Sequence, residues 1–159
     1  MLNRLFEEFG EETVRSFVQK NADYYVSKWK LMAKTGSKIS WNWAAFAFGV
    51  FWMGYRKMYL YSAIVLALSI LDYLPVVGLL VALALWFGVA MLGNYLYGRY
   101  TYETLVQLKE EYPDEETFKL MVIKKGGTSI GGVVIVFIMA ILFSLVGAAL
   151  EVSMRGGRF

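Results

Sequence analysis

The chain alternates between charged amphipathic stretches and long apolar runs. Residues 1–40 carry charged side chains throughout, with apolar residues at helical spacing between them. Later runs at 41–55, 58–98 and 128–150 are almost free of charge, and the polar segment 99–127 separates the last two. Spacings of three and four residues place side chains on one face of a helix. The pattern therefore predicts an all-α membrane protein that combines amphipathic and membrane-spanning helices.

Residues 1–40 are predicted to form two short cytoplasmic amphipathic helices that meet near Asn21. In the second, Tyr25, Trp29 and Met32 follow at i, i+4 and i+7. One interpretation is that such a helix lies among lipid headgroups, where anionic lipid attracts its lysines. The other is that the apolar faces pack on each other or on the membrane domain. The same periodicity supports both interpretations, so both stay open.

An aromatic run of uncharged residues, 41–55, ends in a basic pair. As a helix it would be about 22 Å long, which is short against a hydrocarbon core of about 30 Å. Tryptophan and tyrosine favour the membrane–water interface. We interpret 41–57 as an interfacial or shallow re-entrant helix, in which Gly49 and Gly54 allow a bend or a close helix crossing. The expected interface anchors are Trp41, Trp43, Trp52, Tyr55, Arg56 and Lys57.

Residues 58–159 are predicted to form a transmembrane domain with spans at about 58–74, 76–98 and 128–150. Pro75 separates the first two spans, because proline disfavours helical geometry in the residue before it. The cytoplasmic segment 99–127 is predicted to be helical, with a break at Pro113 and a short helix over 114–125. The last part of the chain also carries small residues that favour close helix packing, within the chain or between copies. These residues are Gly127, Gly131, Ala140, Ser144 and Ala148.

The distribution of lysine and arginine predicts a plasma (inner) membrane protein with a cytoplasmic N-terminus. Cytoplasmic loops are enriched in these residues. Three spans place 14 basic residues inside and leave Arg155 and Arg158 outside. A fourth span at 41–55 would instead move Arg56, Lys57 and the basic residues of 99–127 outward. The charge distribution therefore favours three spans.

Composition narrows the chemistry that the chain can perform. Hydrophobic residues make up 58% of the sequence and charged residues 18%, with a mean hydropathy of +0.48 and a net charge of only +3. Cysteine and histidine are absent, which excludes disulfides, thiol nucleophiles and the usual zinc and haem sites. The sequence shows no carboxylate pair at catalytic spacing. We therefore expect no catalytic residue, no cofactor and no metal.

Few strongly polar residues fall within or near the predicted spans. Ionisable groups at membrane depth are candidates for ion or proton handling, which draws attention to Asp72 and Glu151. Each also has a simpler interpretation, as a turn cap and a helix end. Asn94 is expected to bridge helices, and Arg56 with Lys57 to reach lipid phosphates.

Two segments resemble a known family. They are FVQKNADYYVSKWKLM (Phe17–Met32) and SWNWAAFAFGVFWMGYRKMYL (Ser40–Leu60). Over roughly residues 17–75 the chain resembles small bacterial integral membrane proteins that are catalogued as a domain of unknown function. The resemblance implies a membrane topology and a bacterial-type source, and it adds no catalytic residues. Some relatives look to carry a cysteine-rich zinc ribbon ahead of this domain, and this chain has no cysteine for one.

Two function hypotheses follow. The first is a non-enzymatic accessory or scaffold protein that binds a membrane partner or anionic lipid, because interfacial features are prominent and polar groups at bilayer depth are few. The alternative is a small oligomeric transporter or channel, motivated by the small residues and by Asp72, Asn94 and Glu151. The expected partners are the lipid bilayer, another membrane protein or a second copy, and not nucleic acid.

Overall fold

A computed structural model of the chain describes residues 1–156, and in this part of the chain the regular secondary structure is entirely helical. A 3₁₀ turn, Ser69–Tyr73, directly follows the fifth α-helix. Arg158, which was counted with the C-terminal tail, lies outside the described residues. The α-helices are α1 (Leu2–Val18), α2 (Ala22–Thr35), α3 (Trp43–Phe48), α4 (Val50–Tyr55), α5 (Tyr59–Leu68), α6 (Gly78–Glu111), α7 (Glu115–Lys125) and α8 (Ile130–Gly156).

The chain divides into two compact units. The polar unit consists of Met1–Asn42 and Met91–Ser129, and the apolar unit consists of Trp43–Ala90 and Ile130–Phe159. Helix α6 contributes residues 78–90 to the apolar unit and 91–111 to the polar unit. Of the charged residues that the structure describes, only five belong to the apolar unit. They are Arg56, Lys57, Asp72, Glu151 and Arg155.

The polar unit packs α1 against α2 and α7, with the second half of α6 alongside. Its core is formed by the apolar faces that the sequence pattern predicts, including the fully buried Trp29. Aromatic rings join the helices, as where Phe17 of α1 lies 6.1 Å from Tyr100 of α6. Helix α1 bends at Gly10, whose φ of 74° suits a residue without a Cβ. The buried apolar core residues of this unit include Leu5, Val14, Phe17, Val18, Tyr25, Val26, Trp29, Met32, Tyr97, Leu105, Leu108, Phe118 and Val122.

The apolar unit packs α4 and α5 against α8, and the 3₁₀ turn also contacts α8. The closest approach joins α4 to α8 at Gly54 and Gly132. A Cβ added to Gly54 would lie 2.7 Å from the carbonyl oxygen of Gly132. Farther along α8, the Tyr73 hydroxyl donates to the carbonyl of Ser144 at 3.4 Å. Helix α5 and the 3₁₀ turn therefore run along α8.

Several predicted helix boundaries are confirmed. Helix α6 ends at Glu111 and α7 begins at Glu115, on either side of Pro113. The Asp114 carboxylate caps α7 by accepting from the Thr117 backbone N–H at 2.9 Å. The segment 41–55 contains two short helices rather than one, because Gly49 has a φ of 51° that interrupts the ladder of helical hydrogen bonds.

The apolar helices predicted for the spans are reproduced in part. Helices α6 and α8 are long and apolar enough to cross a membrane. The predicted first span is divided between α5 and the 3₁₀ turn, a shorter apolar stretch over Tyr59–Tyr73. The second was expected to begin at residue 76, but α6 begins at Gly78 because Val76 adopts a φ of 73°, outside the helical region.

Candidate membrane-interface site

The most polar buried site in the polar unit is centred on Asn94 of α6. Its side chain is completely buried. The Nδ2 group donates to the Tyr24 hydroxyl at 3.1 Å, the Ser40 Oγ at 3.1 Å and the Trp41 carbonyl at 3.3 Å. The Oδ1 atom accepts from the Asn42 Nδ2 at 2.9 Å. We call Tyr24, Ser40, Trp41, Asn42 and Asn94 the Asn94 cluster.

The cluster supplies hydrogen bonds to a stretch of backbone that is not helical. Helix α2 ends at Gly36, whose φ of 72° gives a left-handed C-cap. The Ser37 hydroxyl then accepts from the Ile39 N–H at 3.1 Å. Buried backbone groups without hydrogen-bond partners are costly. Here the Ser40 N–H donates to the Met91 carbonyl at 2.9 Å, and the Trp41 carbonyl accepts from the Asn94 side chain. The cluster therefore fixes the path of the chain just before it passes into the apolar unit at residue 43.

The indole of Trp29 anchors the same turn of α6. The Trp29 Nε1 donates to the Asn94 backbone carbonyl at 2.7 Å. The Trp29 ring also lies close to Gly98, one turn farther along α6, where a Cβ would lie 2.8 Å from Nε1. Helix α2 and α6 are thus joined at Asn94 through both its side chain and its backbone. The sequence interpretation of a single helix bridge underestimated this residue.

Two lysines lie over aromatic rings around the cluster. Lys28 Nζ is 5.7 Å from the centroid of the Tyr24 ring, and Lys38 Nζ is 5.5 Å from that of Tyr95, the residue after Asn94. Such distances permit cation–π attraction. Lys30 also lies over a ring, 5.8 Å from the centroid of Phe6, but it is in addition paired with Glu11 of α1. Lys28 and Lys38 therefore differ from Lys30 in having no carboxylate partner among the described residues.

The predicted interface anchors fall into two groups. Trp43 is 72% exposed, and Trp41, Tyr55 and Lys57 are half-buried. Trp52 and Arg56 are instead buried, at 4% and 2% exposure. Burial of these two side chains differs from the exposure expected of anchors that reach lipid headgroups, because helix packing encloses this part of the chain. Anchoring by the other four residues stays a prediction.

Aromatic packing within the apolar unit joins α3 to α6. Phe46 stacks on Trp86, with ring centroids 5.0 Å apart and planes 11° apart. The Trp86 Nε1 donates to the Phe46 carbonyl at 2.7 Å. A polar indole hydrogen therefore finds a partner at the end of a short helix, where carbonyl groups lack helical donors.

The predicted small-residue stripe is placed differently from the expectation. Gly131, Ser144 and Ala148 are exposed, Ala140 is half-buried, and Gly127 lies before α8 in the polar unit. The glycines of α8 that make close contacts are Gly132, against Gly54, and Gly147, against the Tyr73 ring. Within the chain, α8 therefore makes its close contacts through Gly132 and Gly147, and packing of the predicted stripe between copies stays a prediction.

Asp72 and Glu151 line one cavity of the apolar unit. Its volume is about 460 Å³, and Tyr73, Pro75 and Arg155 also line it. Glu151 pairs with Arg155 at 2.5 Å. The Asp72 Oδ1 atom is buried and has no hydrogen-bond partner among the described residues. The two carboxylates that the sequence interpretation singled out are therefore neighbours.

The described residues contain no group of three or more acidic, cysteine or histidine side chains that could hold a metal ion. The hydrogen bonds of the Asn94 cluster join side-chain amides, hydroxyls and the Trp41 backbone carbonyl. Such a set positions chain segments through hydrogen bonds.

Comparison with known proteins gives one match. A family described as "Protein of unknown function (DUF2628)" matches residues 10–104, which is 95 of the 159 residues. No curated protein and no solved structure matches the chain. The matched region includes α2, the Asn94 cluster and the aromatic segment 41–57. The chain therefore belongs to the DUF2628 family of proteins of unknown function.

Proposed function

We propose that this chain is a non-enzymatic, multi-pass accessory or scaffold protein of the plasma (inner) membrane. In this proposal the apolar unit lies in the bilayer. The polar unit lies in the cytoplasm and binds a membrane partner or anionic lipid. The observation that carries the proposal is the segregation of charge, because 23 of the 29 charged residues belong to the polar unit.

Exposure of the apolar helices supports membrane insertion. In their most apolar 18-residue stretches, only 22% of α6 and 11% of α8 is buried. The core helix of a water-soluble protein would be mostly buried. Large exposed apolar surfaces on a protein mark sites of contact with a membrane or a partner. A bilayer would cover the outward-facing leucine, isoleucine, valine and phenylalanine side chains of α8 along its whole length.

Contacts within the apolar unit support three crossings, by α5 with the 3₁₀ turn, by α6 and by α8. Phe46 of α3 contacts α6 at Trp86, and Gly54 of α4 contacts α8 at Gly132. Both contacts lie within a few residues of a point where the chain passes into the polar unit. Because α3 and α4 contact α6 and α8 near these passages, an interfacial or re-entrant position for 41–55 is favoured over a fourth crossing.

Charge near the passages between the units supports a cytoplasmic polar unit. Residues 34–42, 91–99 and 121–129 are the nine polar-unit residues next to each passage. They include five basic residues and no acidic one, whereas the rest of the unit has seven basic and eleven acidic residues. Basic residues close to membrane spans favour the cytoplasmic side. The five are Lys34, Lys38, Arg99, Lys124 and Lys125.

Membrane extraction and crosslinking test the proposal. We expect the chain to stay with membranes in alkaline carbonate and to enter solution only with detergent. A photo-crosslinking residue at exposed positions of α7, such as Leu120 or Ile123, should capture a partner or lipid in cells. The same residue at buried Val122 is the matched control. Release by carbonate, or a chain that is consistently monomeric and uncrosslinked, would contradict the proposal.

The cavity beside Asp72 favours a second candidate, a small oligomeric transporter or channel. Two carboxylates at one cavity are a possible route for cations or protons. Flux across proteoliposomes would then fall with Asp72→Asn and Glu151→Gln. Equal flux in wild type and both variants, or no flux, would contradict this candidate.

A further inference from the structure

Three lysines of the polar unit differ from those of its cations that form ion pairs with carboxylates. Lys28, Lys34 and Lys38 form no ion pair with a carboxylate among the described residues. Elsewhere in the same unit, Lys30 pairs with Glu11 and Lys119 pairs with Glu115. From residue 24 to residue 71 the sequence contains no acidic residue. These three ammonium groups are therefore not held in a close ion pair among the described residues, although Lys34 lines a groove together with Glu7 and Lys30.

Two of the three ammonium groups lie over tyrosine rings at the Asn94 cluster, those of Tyr24 and of Tyr95, the residue after Asn94. Lys28 lies over the Tyr24 ring, whose hydroxyl is bonded to Asn94 and to the Trp41 carbonyl. Lys38 lies over the Tyr95 ring, adjacent to Asn94 on α6. A cation held by a ring keeps its N–H groups available to an anion on its other side.

Exposed apolar side chains accompany these lysines. Leu31 is 57% exposed and Ile39 is 59% exposed. Tyr24, Lys28 and Leu31 follow at i, i+4 and i+7, which places them on one face of α2. Ile39 is four residues from Trp43, which is 72% exposed. Cations beside exposed apolar groups are typical of protein surfaces that enter the headgroup layer of an anionic membrane.

We propose that Lys28, Lys34 and Lys38, together with Leu31 and Ile39, bind the headgroups of anionic phospholipids. The lysines contact lipid phosphates, and the two apolar side chains enter the boundary between headgroups and acyl chains. This inference rests on the proposed membrane location, and it selects lipid over protein as the occupant of this surface. An acidic protein partner would match the charge, but it would leave the exposed apolar side chains of Leu31 and Ile39 unexplained.

Single fluorophores test the inference in the full chain. Because the chain has no cysteine, Leu31→Cys and Ile39→Cys each give one site for an environment-sensitive label. Labelled protein is placed in nanodiscs of phosphatidylcholine alone or with phosphatidylglycerol. We expect anionic lipid to reduce iodide quenching at both sites by at least twofold and to shift emission to shorter wavelength. Raised salt should reverse the effect.

Matched controls separate the lysine surface from general membrane proximity. A label at Gln107→Cys, exposed on α6, should respond equally in both lipids. Replacing Lys28, Lys34 and Lys38 with glutamine should abolish the response at residues 31 and 39. The pair Lys109→Gln and Lys119→Gln, in the same unit, should leave it intact. Circular dichroism checks that each variant is folded.

A label at Ile138→Cys on α8 distinguishes the two proposals. Shielding there in both lipids, with residues 31 and 39 equally quenched in both, would overturn the lipid site and leave the membrane location standing. Quenching at residue 138 would overturn the membrane location as well. Shielding at residues 31 and 39 that does not depend on lipid charge or on the lysines would also overturn the lipid site.

Discussion

At the scale of single residues, Asn94 joins separate segments of the polar unit. Its amide joins α2, the irregular segment 40–42 and α6 through hydrogen bonds to Tyr24, Ser40, Trp41 and Asn42. A buried polar group that loses its partner costs about 1–3 kcal/mol. The importance of this residue depends on several partners at once, and they are far from it in the sequence.

Replacing Asn94 with alanine should therefore destabilise the polar unit by about 2–3 kcal/mol, because it removes the buried hydrogen bonds of its amide to Tyr24, Ser40, Trp41 and Asn42. Chemical unfolding in detergent, followed by circular dichroism, measures the change. Asn3→Ala at an exposed position is the control, with an expected change below about 0.5 kcal/mol. Equal stability of the two variants would show that the cluster is dispensable.

A second residue-scale prediction concerns the crossing of α4 and α8. A Cβ at Gly132 would collide with the Gly54 carbonyl oxygen, so Gly132→Ala should cost about 1–3 kcal/mol by forcing the helices apart. Gly131→Ala, on the exposed side of the same helix, should cause no loss. Thermal unfolding in detergent compares them, and a larger loss at Gly131 would favour the register that the sequence predicted.

At the scale of helices, ion pairs join α1 to α2. Glu11 accepts from Arg15 at 2.8 Å and from Lys30 on the neighbouring helix. Hydrogen bonds from Lys30 and Arg15 lower the pKa of the Glu11 carboxyl. A carboxyl with a lowered pKa in the folded state adds stability above its ordinary pKa, about 4.3, and loses it as the pH falls through the lower value.

Glu11→Gln should therefore lower the unfolding midpoint at pH 7, and the difference from wild type should narrow as the pH falls below about 4. Unfolding followed across this pH range measures the effect. Glu7→Gln, on the same helix and without an ion pair among the described residues, is the control. A Glu11→Gln deficit that stays constant down to acidic pH would contradict the assigned electrostatic role.

Helices were largely predictable from the sequence, because their signals are local. Pro113, Asp114 and Gly36 mark boundaries through backbone geometry and capping that neighbouring residues determine. The division of 41–55 at Gly49 was anticipated as a bend. The burial of Arg56 and the register of the α8 contact were not predictable, because each depends on which faces meet after folding. Periodicity identifies a helix and its apolar positions, and it does not identify the neighbour.

At the scale of the whole molecule, charge is distributed in three levels. The described part of the apolar unit has five charged residues, the charged polar-unit residues next to the passages are all basic, and the rest of the polar unit has eleven acidic and seven basic residues. This order favours a membrane protein whose polar unit lies in the cytoplasm. The proposed lipid site at Lys28, Lys34 and Lys38 would add a contact with the same membrane.

Cysteine accessibility tests the proposed topology most directly, because the natural chain contains no cysteine. Single cysteines at Ser37, Val76, Glu110 and Met154 occupy exposed positions. A membrane-impermeant maleimide applied to intact cells should label Val76→Cys and Met154→Cys, and it should label Ser37→Cys and Glu110→Cys only after permeabilisation. Labelling of Glu110→Cys with protection of Val76→Cys in intact cells would contradict the three-span arrangement with a cytoplasmic polar unit.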